Sequence, residues 1–161
     1  MPVTGITHDI ENRSLTITAQ FAAPVERVWG LYADPRQLER IWGPPTHPAT
    51  FVDHDLSVGG RMTYYMTSPE GEKFAGWWLL TEVDEPYQFR FEDGFADESF
   101  EPVTTMPVSH NTYTFEPHDG GTRATFTSVF DSADDLQRVL DMGMEQGATL
   151  AINQVDALLA A

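Results

Sequence analysis

The sequence contains no cysteine, which excludes disulfides, thiolate metal ligands and a cysteine nucleophile together. Positive charge is scarce: 9 basic side chains face 25 acidic ones, for a formal net charge of -16. Such a surface repels phosphate backbones and anionic lipid heads, so neither nucleic acid nor membrane is an expected partner. Lys73 is the one lysine, which leaves no spare amine for Schiff-base chemistry. No apolar run approaches the roughly 20 residues that span a bilayer. The opening segment from Met1 to Arg13 has neither the basic nor the apolar region of a secretory signal, and a cytoplasmic location is therefore expected. Repeats and low-complexity tracts are also missing.

Catalytic and metal-binding signatures are equally sparse. His8, His47, His54, His110 and His118 show no helical or zinc-type spacing, so no metal and no cofactor is expected. There is no nucleophile elbow. Ser109 and His110 are adjacent on a strand pattern, so their side chains point to opposite faces. Gly59-Gly60 lacks the strand-to-helix setting of a phosphate-cradling loop. The acids near Asp93, Asp97, Glu98 and Glu101 read as a solvated cluster in a loop running from Asp93 to Met106.

What is present fits one domain, residues 1–161, with globular proportions of 41% hydrophobic and 21% charged residues. Ser14 to Phe21 alternates polar and apolar residues as a half-buried strand does. Val25, Val28, Trp29, Leu31 and Tyr32 then fall at helical spacing after Pro24. Asp34-Pro35 opens a second short helix on its N-cap and N1 preferences, and Gly43-Pro44-Pro45 stops it. From Thr50 the period is two, through segments near 50–56, 61–67, 73–83, 87–92, 108–116 and 122–130. Ser132 caps a final helix, with Asp134 and Asp135 at its positive end. One apolar face from Leu136 to Leu159 continues over about 24 residues, roughly 36 Å of helix.

The order predicts an α+β helix-grip fold: a curved antiparallel sheet of about seven strands around a long C-terminal helix, with two short helices after the first strand. Strands joined by tight turns are antiparallel, and a one-faced helix has the concave face to cover. A curved sheet and a cylinder meet imperfectly, leaving a gap for side chains or a cavity. If Val83 and Phe89 face inward, alternation sends Trp77, Leu79 and Phe91 inward too. Met62, Tyr64, Tyr113 and Phe126 share that face, Met144 and Ala148 come from the helix, and Phe95 sits in the loop as a lid. These ten residues (Met62, Tyr64, Trp77, Phe89, Phe91, Phe95, Tyr113, Phe126, Met144 and Ala148) are the candidate ligand wall; the alternative is a core packed solid by the same side chains. Gly143 and Gly147, one turn apart, point either to an opening or to close helix–sheet contact.

Five strings carry a resemblance: Ala23-Pro24-Val-Glu-Arg-Val-Trp29, Asp34-Pro35, Trp42-Gly43-Pro44, Asp55-Leu-Ser-Val-Gly-Gly60 and Thr114-Phe-Glu-Pro-His-Asp-Gly-Gly-Thr-Arg123. Together they resemble the family named after the activator of the heat-shock-protein-90 ATPase, within the START and birch-pollen-allergen (SRPBCC) superfamily. The resemblance implies the fold and a cavity. Three functional readings remain open. The first is a carrier of a small apolar or aromatic molecule with no catalytic centre. The second is a co-chaperone-like protein with a protein partner, acting through its acidic surface. The third is a cyclase- or lyase-type enzyme, which needs a polar cavity residue such as Tyr64, Tyr113 or His110. The oligomeric state is not legible.

Overall fold

The computed structural model describes residues 2–160. Eight strands form a single antiparallel sheet: β1 (Val3–Asp9), β2 (Ser14–Phe21), β3 (Ala49–Asp53), β4 (Arg61–Thr67), β5 (Lys73–Asp84), β6 (Gln88–Ala96), β7 (Ser109–His118) and β8 (Gly121–Phe130). Their order is β1-β2-β8-β7-β6-β5-β4-β3. Helices α1 (Val25–Ala33) and α2 (Pro35–Trp42) carry the chain from β2 to the far edge, where β3 begins. The C-terminal segments α3 (Ala133–Asp141), α4 (Met144–Asn153) and α5 (Val155–Leu159) complete the helical layer of a helix-grip fold.

Local chemistry sets these elements. In β2, Leu15, Ile17, Ala19 and Phe21 are buried while the residues between them are not, so strict alternation gives the strand one core face. The Asp34 carboxylate accepts from the Arg36 amide at 2.9 Å and Pro35 fills the first turn of α2. Ser132 Oγ accepts from the Asp135 amide at 3.0 Å and starts α3.

Three features depart from the sequence expectations. Strand β1 is an added edge strand, bound to α4 through Val3 N–H to Asn153 Oδ1 at 3.3 Å and His8 to Glu145 at 2.8 Å. Its Thr4, Gly5, Thr7 and His8 give no apolar alternation, so the sequence carries no strand signal there. The final helix is not continuous: Gly143 adopts a left-handed φ of +87° and separates α3 from α4. An apolar stripe reports which side of a helix is buried and is blind to a single left-handed residue within it. Finally, a bulge between Leu80 and Glu82 shifts the β5–β6 register. It reverses the parity that placed Trp77 inward: Trp78 and Leu80 enter the core, and Trp77 lies on the opposite face under the Arg61 guanidinium, 5.8 Å from the ring centroid.

The main core gathers beneath α1 and α2. Trp78 stacks on Phe91 at 3.9 Å, Trp29 meets Phe89 edge-on at 5.6 Å, and Tyr32 packs on Phe115 at 5.5 Å. Each fully buried side chain of this size contributes about 1.5–3 kcal/mol by leaving water. A second, smaller apolar cluster of Leu15, Phe130, Leu136 and Val139 lies under α3.

Candidate functional site

The two clusters do not merge. Between them lies a cavity of about 610 Å³, walled by Ile17, Phe126 and Phe130 from the sheet and by Met144, Gly147, Ala148 and Ala151 from α4. Ligand sites for drug-sized molecules occupy about 300–1,000 Å³. Phe74, Met142 and Leu150 belong to this wall and are each more than half exposed, which marks the mouth.

One end of the cavity is polar. Along β6 the odd-numbered residues share the inner face: Phe89 and Phe91 are buried in the core, and Asp93 and Phe95 line the cavity. Asp93 is partly buried and lines the cavity. From β4, two strands away, Tyr64 donates its hydroxyl to Asp93 Oδ1 at 2.9 Å. The reach is possible because Gly76, its partner on β5, has no side chain: a Cβ there would stand 2.4 Å from the tyrosine ring. Burial pushes the Asp93 carboxyl from 3.8 up to about 7, against the opposing effect of the Tyr64 hydrogen bond. Burial likewise raises the Tyr64 and Tyr113 phenols, and each rises further through the nearby Asp93 charge.

A neutral network continues the polar end. Ser128 Oγ donates to Asn111 Oδ1 at 2.6 Å, and Asn111 Nδ2 donates to Ser109 Oγ at 3.0 Å. Ser109 Oγ in turn donates to the Asp93 carbonyl at 3.4 Å. The Trp42 indole N–H is buried and forms no hydrogen bond among the described residues; its ring lies 5.8 Å from Tyr64. No group of three or more histidine, aspartate or glutamate side chains placed to hold a metal occurs among the described residues.

Of the ten sequence candidates, Tyr64, Phe95, Tyr113, Phe126, Met144 and Ala148 line the cavity. Met62, Phe89 and Phe91 face the same side of the sheet but are packed into the adjoining core. Trp77 is displaced to the other face by the bulge. Phe95 is not a loop lid, because β6 continues through Ala96 and pairs Phe95 with Gly76. His110 lies outside the cavity, where its exposed ring meets Asp131 at 3.0 Å. Asp93, Ser109, Asn111 and Ser128 escaped the sequence reading. The signal was there: extending the alternation of Phe89 and Phe91 by two residues reaches Asp93, and stepping back from Tyr113 reaches Asn111 and Ser109.

A profile described as Activator of Hsp90 ATPase homolog 1-like protein matches residues 22–160. The chain belongs to that family. A Mycobacterium smegmatis protein known from a crystal structure is 64% identical; 98% of this chain and 97% of that one align at a TM-score of 0.92. An Arthrobacter aurescens protein solved by NMR is 48% identical, with 98% and 92% of the two chains covered and a TM-score of 0.94. A Staphylococcus epidermidis protein, also solved by NMR, is 29% identical over 98% and 94% of the chains, with a TM-score of 0.84. No curated protein matches. Among the described residues of this family member, no helix is long and apolar enough to cross a membrane.

Proposed function

We propose that this domain binds a small, mainly apolar molecule, its body against Ile17, Phe126 and Ala148 and one hydrogen-bonding group at Asp93 and Tyr64. The observation that carries this reading is the 610 Å³ cavity with a mostly apolar wall and a polar group of Asp93, Ser109, Asn111 and Ser128. Apolar area removed from water supplies the affinity, and a few fixed polar groups orient the ligand. No assigned nucleophile or metal is needed for this role, and the domain acts as a carrier or sensor.

Titration with the neutral fluorescent probe N-phenyl-1-naphthylamine tests it. Saturable one-to-one binding is expected, and Ala148→Trp, which fills the cavity, should abolish it. Absence of saturable binding, or equal binding by Ala148→Trp, would overturn the reading.

A second reading follows from the family match: co-chaperone action on a heat-shock chaperone through the acidic surface, supported by the net charge of -16. It predicts chaperone binding by Ala148→Trp that equals wild type. Loss of chaperone binding in that variant, or none by wild type, counts against it.

A further inference from the structure

Among the described residues, Asp93 is the one carboxyl in the cavity wall, and no arginine or lysine belongs to that wall. Among the described residues, none of the ion pairs formed by arginine, lysine or histidine includes Asp93. The titratable groups around it are Tyr64 on β4, Tyr113 on β7 and Tyr32 on α1, with His47 farther along the wall in the segment after α2. From α4 come only apolar or small side chains. Tyr64 satisfies Oδ1, and among the described residues the carboxyl forms no other side-chain hydrogen bond.

On the ligand-binding reading above, we propose that the ligand is a basic amphiphile, which seats a protonated amine on Asp93 between the rings of Trp42, Tyr64 and Tyr113. A buried carboxylate is costly unless it is paired and hydrogen-bonded, and this chain supplies a hydrogen bond without a cation. The ligand is then the missing cation. Aromatic faces attract an ammonium group through their quadrupoles, and three such rings share this end of the cavity. The overall charge of -16 concentrates cations near the protein and opposes the approach of anions. A fatty acid or other carboxylate would meet Asp93 with no cation to offset the repulsion.

Three probes with one apolar body and different head groups separate the possibilities: 1-naphthylmethylamine, 1-naphthalenemethanol and 1-naphthoic acid. Calorimetric titration near pH 8, where amine and Asp93 are both charged, should rank them amine, alcohol, acid, with roughly tenfold or more between the first two. Asp93→Asn should reduce that advantage to about twofold or less, the amine losing far more affinity than the alcohol. Wild-type protein titrated near pH 5.5, with Asp93 protonated and the amine still charged, should show the same levelling without any substitution. Equal binding of amine and alcohol, tighter binding of the acid, or an amine preference that survives both conditions would overturn the proposal and leave the cavity reading standing. Failure of all three probes to bind would overturn both.

Discussion

The space between sheet and helices is treated differently at its two ends. Beneath α1 and α2, Trp29, Trp78, Phe89 and Phe115 are buried in edge-to-face and stacked pairs. Beneath α4 the helix offers Gly147, Ala148 and Ala151, and the same sheet faces a cavity. Side-chain size accounts for the contrast: indoles and phenyl rings fill the gap left by a curved sheet, and small residues do not. A single fold thus divides into a filled part and a part with a cavity.

Truncation should break this contrast most visibly. Trp78→Ala, in the filled end, is expected to cost about 3–5 kcal/mol in urea unfolding, because the surroundings cannot collapse around so large a void. Leu150→Ala, at the open mouth and already half exposed, should cost less than about 1 kcal/mol.

The pH dependence isolates the polar end. Asp93 titrates near 3.8 when unfolded and about 7 when folded, so folding takes up a proton between those values. Its contribution to stability is fully present below about pH 4 and is lost as pH rises through 7. Asp93→Asn should therefore exceed wild type in stability above pH 7 by an amount on the order of 2–4 kcal/mol, a gap that closes toward pH 4. Thermal unfolding across that range measures it; a pH-independent difference would contradict the assignment.

Glycine-to-alanine changes sharpen the comparison with opposite signs. At Gly76 the new Cβ would strike the Tyr64 ring, and Gly76→Ala should cost about 1–3 kcal/mol while dislodging Tyr64 from Asp93. At Gly147 a Cβ meets nothing within 4 Å. Gly147→Ala should stabilise by about 0.5–1 kcal/mol through helix propensity alone. Chemical denaturation of the two variants reads both signs.

Much of the architecture was legible because it rests on local rules. The alternation in β2, the Asp34 and Ser132 caps and the apolar stripe after Leu136 each required only neighbouring residues, and together they fixed the helix-grip order. The misreadings share a different cause. A bulge between Leu80 and Glu82 is a property of strand pairing, and nothing within β5 alone announces that Trp77 and Trp78 exchange faces. Strand β1 is held by its partner and by α4, not by its own pattern. Asp93 was hidden by company: with Asp97, Glu98 and Glu101 close by in sequence, acidity reads as solvation. The strand continues two residues past Phe91 and carries this one acid inside. Six of the ten proposed wall residues line the cavity, since the β4, β7 and β8 alternations hold where no bulge intervenes.

Lys73 opens β5, its ammonium 4.6 Å from the centre of the Tyr65 ring, and the next residue, Phe74, stands at the cavity mouth. With no other lysine in the chain, amine chemistry meets one side chain at this doorway. A solvent-sensitive dye coupled to Lys73 would sit beside the entrance without any engineered cysteine, and its emission would report whether the cavity behind it is wet or filled.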